Sequence, residues 1–174
     1  MAGRTMTNHF QPPVDRAAFL EAMSRVAATV NIVTTDGPAG RDGMAITAMV
    51  PVSADMAQPT LLVCVSRNSR PAPTILNNGV FCVNVLGEDQ SALCDCFAGR
   101  HGGTCDQWFE RGTWSGLGTG APALDQALVN LDCKVTEVSQ MGTHHVIFGA
   151  VAAIRSGAGK PLLHANRTYC RLSA

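Results

Sequence analysis

Two adjacent histidines, His144 and His145, are the residues of this sequence best suited to chemistry near neutral pH. Imidazole exchanges a proton in that range and is a common metal ligand. If residues 143–154 form a β-strand, the two side chains point to opposite faces of the sheet and cannot ligate one metal from the same side. We therefore expect separate roles for them. On the motif alone, each is either a functional group or a hydrogen-bonded structural residue.

The other reactive residues do not favour metal binding or nucleophilic catalysis. Cys94 and Cys96 are separated by one residue, not by the two residues of a zinc-ligand pair, and no second pair accompanies them. The sequence has no G-x-S-x-G motif for a nucleophilic serine. The seven cysteines are an odd number spread through apolar segments, so we expect them to be reduced and mostly buried. No metal site is predicted.

Small polar residues stand near the predicted strand ends. Segments 46–53 and 66–69 offer hydroxyls, backbone amides and one guanidinium, and the second precedes a helix that begins with proline. Such groups can hold a phosphate, but they are equally typical of turns. Both interpretations stay open. The glycine-rich segment 116–122 does not follow a predicted strand, which argues against a dinucleotide site of the Rossmann type.

Many short strands and few helices must position these residues. Asp15 can cap a helix over residues 15–28, in which Phe19, Met23 and Val26 recur on one face. Runs rich in β-branched residues, or with period-two alternation, predict the strands. These cover 29–35, 44–53, 60–66, 80–86, 127–139 and 145–154.

Four further elements complete the predicted chain. They are helices at 71–78 and 88–99, a surface excursion over 100–122 and a hairpin within 159–172. Gly99 ends the second helix. Segment 145–154 is apolar throughout, as in a strand covered on both faces. Because strands and helices do not alternate regularly, we predict a mainly β protein whose antiparallel sheet closes into a barrel.

Length and charge limit the possible partners. The 174 residues, 46% of them hydrophobic, suffice for one soluble domain. Thirteen basic and thirteen acidic residues show no run of either sign, so neither nucleic acid nor a membrane surface is an expected partner. No apolar segment is long enough to span a bilayer, and we expect a cytoplasmic protein. Residues 1–14 are predicted to be a flexible leader and residues 15–174 the folded domain.

An ordered set of motifs resembles the flavin reductase family with the FMN-binding split-barrel fold. The resemblance extends from about Phe19 to Leu172. It is carried by VNIVTTDGPAGRDGM, TLLVCVSRNS, FCVNVL, FAG, ALVNLDCKV, GTHHVIFGAV and NRTYCRL. The chain is similar to the small reductase components of two-component flavin monooxygenases. The resemblance implies an antiparallel Greek-key split β-barrel with a few short helices, homodimeric, with flavin near the dimer interface.

The resemblance also implies a set of site residues, each at a position that matches a family motif. The residues expected along the flavin ring are Ile46, Thr47, Ala48 and Met49, with Ser53 downstream. The residues expected to receive the flavin phosphate are Ser66, Arg67, Asn68 and Ser69. Those expected to flank the ring and its tail are Asn84, Phe97, Ala98, Gly99 and Arg100. His144 matches the histidine that faces nicotinamide, with Arg167 and Tyr169 near the same pocket. His145 is then expected to be an outward or interface neighbour.

Some positions depart from the family pattern. Ala45 and Pro51 stand where hydroxyl residues are usual, and the turn 56–60 is longer by about two residues. Near the C-terminus, His164 and Ala165 replace an aromatic pair. Because the whole chain has only nine aromatic residues, six Phe, two Trp and one Tyr, few rings are available to stack on a flavin. We therefore predict moderate flavin affinity.

The implied function is transfer of a hydride from nicotinamide C4 to flavin N5. The cofactors implied are FMN or FAD together with NADH, with NADPH as an alternative whose 2′-phosphate Arg67 or Arg155 would meet. Reduced flavin would pass to a separate oxygenase. Two alternatives remain: a split-barrel reductase that passes electrons to a corrinoid or ferric acceptor, and a flavin-binding protein without turnover.

Overall fold

A computed structural model describes residues 13–173, and apart from Pro13 and Val14 the predicted leader lies outside them. Antiparallel strands dominate, with four short helices in the described chain. The elements are α1 (Arg16–Ser24), β1 (Ala28–Thr29), β2 (Asn31–Thr35), β3 (Asp42–Ile46), β4 (Met49–Ser53), β5 (Thr60–Ser66), α2 (Pro71–Asn78), β6 (Val80–Val85), α3 (Ser91–Phe97), α4 (Cys105–Phe109), β7 (Trp114–Gly116), β8 (Pro122–Leu124), β9 (Val129–Met141), β10 (His144–Ser156), β11 (Leu163–Ala165) and β12 (Thr168–Cys170).

Seven strands form one sheet in the order β3-β2-β6-β9-β10-β5-β4. The edge strands β3 and β4 are consecutive in the chain and are joined only by Thr47 and Ala48. A flat sheet would hold these edges roughly 29 Å apart, at about 4.8 Å per strand. The three Cα steps from Ile46 to Met49 span at most roughly 11 Å. The sheet must therefore curl until its edges meet, which forms the predicted antiparallel barrel with a split between β3 and β4.

The barrel interior is filled by side chains from alternate strand positions. Val63 and Val65 of β5, Phe81 of β6 and Ile147 of β10 are fully buried there. Helix α2 closes the neighbouring space with Ala72 and Ile75, both fully buried. A second apolar cluster lies outside the barrel, and its members include Ile32, Leu86, Cys94, Phe97, Phe109 and Leu124. This second cluster fixes α3 and α4 against the sheet.

Two segments differ from the sequence-based expectations. The predicted strand 44–53 is divided by the link at Thr47 and Ala48, because its two halves belong to opposite edges of the sheet. The excursion over 100–122 is not a plain surface loop. It contains α4, which begins at a capping box formed by Thr104 and Gln107 and buries Phe109.

Apolar side chains are uncovered in two places. Helix α1 ends at Ser24 and contains no buried residue, and Phe19 and Met23 are 57% and 47% exposed. On β10 the predicted cover on both faces is also incomplete within one chain, since Ile154 is 59% exposed. A short helix without tertiary packing is marginal in water. The single chain therefore leaves apolar surface that needs a further cover.

Candidate functional site

A cavity of about 370 Å³ opens where the barrel splits. Its walls come from the link between β3 and β4, the facing ends of β5 and β10, the C-terminal end of α3 and the hairpin β11–β12. This volume is near the lower end of the range of about 300–1,000 Å³ for small-molecule sites. The lining residues are Val30, Met44, Ala45, Ile46, Thr47, Ala48, Cys64, Ser66, Cys94, Ala98, Arg100, His144, His164 and Tyr169.

The two adjacent histidines lie on opposite faces of β10, as their spacing predicts. His144 pairs with Ser66 of β5, and both side chains line the cavity. His145 pairs with Val65, which is fully buried, so His145 lies on the interior side of the sheet. Its Nδ1 atom is buried without a hydrogen-bond partner in the described chain. The outward placement of His145 is therefore wrong, because cross-strand partners share a face, and its placement at an interface stays a prediction.

A hydrogen bond to its own hairpin turn restrains His144. The ring atom Nδ1 lies 3.1 Å from the hydroxyl oxygen of Thr143. The carbonyl of Thr143 accepts a hydrogen bond from the Arg67 amide at 3.0 Å, which ties this turn to the end of β5. His144 is exposed on the cavity side. It can therefore present a nitrogen to a ligand bound in the cavity.

The link between β3 and β4 supplies backbone groups to the cavity. The Thr47 carbonyl accepts from the Met49 amide at 3.1 Å, and the Ala48 carbonyl accepts from the Cys64 amide at 3.0 Å. In a trans peptide the N–H points opposite the carbonyl. The Ala48 N–H, which shares a peptide with the Thr47 carbonyl, therefore points away from the Met49 amide. Thr47 and Ala48 are both exposed, which makes this link a source of hydrogen-bond donors for a carbonyl or anionic ligand.

Small side chains and thiols make up much of the remaining wall. Ala45, Ala48 and Ala98 leave room for a flat ring to approach the backbone closely. Cys64 and Cys94 also line the cavity, and burial raises the pKa of the Cys94 thiol. Sequence reasoning assigned neither cysteine to the site. The signal for Cys64 was its position two residues before Ser66 on one strand, which places both on one face.

The structure brings together only part of the set implied by the resemblance. The predicted site residues that line the cavity are Ile46, Thr47, Ala48, Ser66, Ala98, Arg100, His144 and Tyr169. Those that do not line it are Met49, Ser53, Arg67, Asn68, Ser69, Asn84, Phe97, Gly99 and Arg167.

Several of the residues outside the wall lie next to lining residues. The Ser69 hydroxyl donates to the Ser66 carbonyl at 2.6 Å, which closes the turn after β5 and leaves Arg67 and Asn68 exposed beside the cavity. Phe97 is buried behind the wall, in the cluster beneath α3. Gly99 follows the end of α3 with a φ of 72°, a left-handed conformation that favours glycine.

The C-terminal hairpin separates the two residues expected to act together. Arg167 lies in the turn between β11 and β12, and its guanidinium donates to Glu21 of α1 at 2.7 Å. Tyr169 lines the cavity instead, and its hydroxyl donates to Asp95 of α3 at 2.7 Å. The structure therefore assigns Arg167 to the attachment of α1 and Tyr169 to the cavity wall.

Asn84 is part of an interior hydrogen-bond network. Its amide nitrogen donates to the Ile32 carbonyl at 2.9 Å, and its oxygen accepts from the Leu124 amide at 2.7 Å and from Asn130 at 2.8 Å. Asn84 is fully buried. These bonds connect the barrel to β8, so Asn84 lies in the interior network and not in the cavity wall.

Arg155 belongs to the same hydrogen-bond network. Its guanidinium donates to Asn130 at 2.8 Å, to Ser115 at 2.8 Å and to Asp125 at 3.0 Å. These partners use its Nε and one Nη atom, and the other Nη lies 3.3 Å from the Ala123 carbonyl. Arg155 does not line the cavity, and these donors hold the segment 112–125 against the sheet, so its placement does not favour contact with a 2′-phosphate.

Metal ligands do not cluster in the described chain. Within residues 13–173 no three His, Cys, Asp or Glu side chains are grouped so as to hold an ion. No helix in that range is long and apolar enough to cross a membrane.

A split β-barrel with an open cavity of small side chains and backbone donors is a site that can accommodate a flat organic ligand. Residues 23–173 match the family described as flavin reductase like domain. The chain belongs to this family, which confirms the resemblance seen in the sequence. It is an oxidoreductase of the split-barrel type.

Individual relatives agree with this assignment. FMN reductase (NADH) RutF 1 of Methylorubrum extorquens is 46% identical over 158 residues, which cover 90% of this chain and 77% of that protein. The solved flavin reductase PheA2 has a TM-score of 0.83 at 28% identity, covering 92% of this chain and 100% of its own. BorF, the flavin reductase component of a bacterial two-component tryptophan halogenase, has a TM-score of 0.82 at 26% identity, covering 92% and 99%.

The placement of Asn84 predicts a stability effect. Asn84→Ala leaves the Leu124 amide and Asn130 without their partner in the core, so the free energy of unfolding should fall by about 2–4 kcal/mol. Urea denaturation followed by fluorescence measures it. Asn77→Ala, at an exposed position of α2, is the control and should stay within about 0.5 kcal/mol. Unchanged stability combined with lost flavin affinity would instead place Asn84 in the binding site.

Proposed function

We propose that this chain is an NADH-dependent flavin reductase that supplies reduced flavin to a separate oxygenase component. One observation supports it most directly: the split of a flavin-reductase barrel exposes the Thr47–Ala48 link and His144 to one cavity. The relative RutF 1 is an FMN reductase that uses NADH. BorF is one component of a two-component enzyme. FMN is therefore the first flavin to test, with FAD second.

The residues of the cavity suit an isoalloxazine ring. When bound, flavin accepts a hydride that a nicotinamide supplies, and the carbonyl edge of its ring gains negative charge. Backbone N–H groups at Thr47 and Ala48 are suited to that edge, and they are held in place by the flanking strands before the ligand arrives. Ala45, Ala48 and Ala98 allow close approach of a flat ring. The exposed turn 66–69 offers amides and hydroxyls to the phosphate.

His144 would position the nicotinamide and not carry a proton. It stands on the cavity face, and its ring is restrained by Thr143. Hydride transfer needs the two rings stacked at contact distance, so a group that orients one ring contributes through geometry. The chain needs no general acid or base at the reacting carbon.

The scarcity of aromatic rings in the cavity wall suits a reductase that releases its flavin. Among the described lining residues, Tyr169 is the only Phe, Tyr or Trp, since both tryptophans lie in or beside the apolar cluster under α3. Stacked aromatic pairs add about 0.5–1.5 kcal/mol each beyond their buried area. A cavity with one such ring should hold flavin moderately and let the reduced form leave.

A homodimer would cover the apolar face beside the cavity. Val50, Leu62 and Phe148 form one row across β4, β5 and β10 on the outer side of the sheet. Val50 and its strand neighbour Val52 are 52% and 49% exposed. His144 and Ser66 lie on the same outer face. A second copy that packs on this row would bury apolar surface and narrow the cavity mouth at once.

The state of the cysteines fits the cytoplasm. All seven cysteines are free. Burial raises the pKa of the Cys133 thiol to about 12 and also raises that of Cys82, so these thiols stay protonated and inert. Free thiols of this number are typical of a reducing compartment.

The function is tested by steady-state NADH oxidation with FMN, FAD or riboflavin as acceptor. Flavin-dependent turnover is expected, with NADPH slower than NADH. Acceleration only by cobalt or iron acceptors would favour the alternative reductase. Flavin binding without any turnover would favour a carrier.

Substitution of His144 separates nicotinamide use from flavin binding. We expect His144→Ala to raise the KM for NADH or to lower kcat by about tenfold or more, because ring orientation is lost. The flavin dissociation constant, measured by fluorescence quenching, should change by less than about threefold, since small surface changes cost little. His145→Ala, on the opposite face of the same strand, is the matched control. Wild-type turnover in His144→Ala would refute the role.

The dimer is tested by placing a charge in the apolar row. Val50→Asp should convert a dimer into a monomer at micromolar concentration, because an unpaired carboxylate would be buried at the interface. Analytical ultracentrifugation measures the mass, and Ala158→Asp in an exposed turn should remain dimeric. A monomeric wild type would contradict the proposal.

A further inference from the structure

Three side chains converge on Asp95 at the C-terminal end of α3. The Tyr169 hydroxyl donates to its Oδ1 atom at 2.7 Å, and Arg100 Nη1 donates to the same atom at 2.8 Å. His101 Nε2 lies 3.8 Å from the other carboxylate oxygen. The Asp95 side chain is 22% exposed. It is therefore a partly buried carboxylate with two strong, charge-assisted partners.

Both strong partners line the cavity, whereas Asp95 does not. The Arg100 guanidinium also lies over the Tyr169 ring, 5.4 Å from its centroid. The rings of Tyr169 and His164 make an edge-to-face contact, with centroids 6.0 Å apart and planes at 76°. Asp95 thus fixes a stacked pair, Arg100 on Tyr169, from behind the cavity wall. Without the carboxylate, the long guanidinium side chain would regain its rotamer freedom and lose its fixed orientation.

The hydrogen bond to Asp95 also fixes which part of the Tyr169 side chain faces the cavity. Because its hydroxyl is bonded to Asp95, the residue offers its ring face and edge to a ligand. Burial, followed by the neighbouring Cys94 and Asp95, raises the pKa of Tyr169. The phenol therefore remains a donor to Asp95 over the whole range in which the enzyme would work.

Arg100 differs from the other lining residues in its charge. Within the described wall it is the one side chain with a permanent positive charge, and no carboxylate lines the cavity. Arg100 is 53% exposed, and only one of its terminal nitrogens is bonded to Asp95. The guanidinium therefore keeps donors for an anionic group. A planar guanidinium suits a phosphate when its orientation is fixed.

We propose that Asp95 is a positioning residue, which holds Arg100 toward the phosphate of bound flavin and turns the Tyr169 ring to the cavity. This inference rests on the proposed function, because it takes flavin as the ligand. Two opposing effects follow from removal of the carboxylate. The freed Arg100 gains net attraction for an anion but loses its fixed orientation. Since Arg100 is half exposed, solvent screens the first effect, and the second should prevail.

The test compares FMN with riboflavin, which lacks the phosphate. We expect Asp95→Asn to raise the dissociation constant for FMN by about tenfold, because the charge-assisted hydrogen bond from Arg100 becomes a weaker bond to a neutral acceptor. The dissociation constant for riboflavin should stay within about twofold. Flavin fluorescence quenching measures both. Asp89→Asn, an exposed carboxylate outside the cavity, is the control, and thermal melting verifies that each variant folds.

A double-mutant cycle identifies the route of the effect. Arg100→Gln alone should weaken FMN about as much as Asp95→Asn, and the second substitution should add little in the Arg100→Gln background. Equal weakening of FMN and riboflavin would overturn the proposal, since a general structural role moves both. Tighter FMN binding by Asp95→Asn would overturn it too. Binding needs no turnover, so a wild type that binds FMN without oxidising NADH refutes only the proposed function.

Discussion

Two residues, Thr47 and Ala48, connect the opposite edges of a seven-stranded sheet, and the structure depends on this short link. A connection of that length forces the sheet to close, and it leaves the two edges unpaired where they meet. The interior then fills with alternate side chains such as Phe81 and Ile147. The outer side at the split keeps exposed backbone, the cross-strand pair Ser66 and His144, and small side chains. The barrel and the cavity are therefore two consequences of one constraint.

Polar networks hold the remaining elements around this closed sheet. Asn130 donates a hydrogen bond to Asn84 and accepts one from Arg155, and this network holds the segment that contains β7 and β8. On the cavity side, Asp95 joins α3 to the C-terminal hairpin through Tyr169, 74 positions away in sequence. Buried polar groups are costly when unpaired, so each network specifies one arrangement of its elements. In the second network the specified arrangement includes part of the cavity wall.

The chemistry expected of such a site needs few reactive side chains. In the proposed function, a hydride would pass between two cofactors, and the protein would contribute orientation, water exclusion and hydrogen-bond donors. This explains why His144 is restrained by its turn, why the cysteines can be protonated and inert, and why alanines line the wall. The proposed homodimer would account for the uncovered apolar row near the cavity, since a second copy would complete a site at the surface of the first.

The sequence by itself determined the mainly β class, most strand positions, the termination of α3 just before Gly99 and the opposite faces of His144 and His145. These are local properties, set by period-two alternation and by residues that favour turns. It also carried the family resemblance, which implied Thr47, Ser66 and Arg100 as site residues. The tertiary structure alone decided that segment 44–53 divides between two sheet edges, that Asn84 and Arg155 serve the interior, and that Cys64 and Asp95 belong to or support the cavity. These depend on which distant strands become neighbours, and strand order and register are fixed by closure of the whole sheet and not by any local pattern.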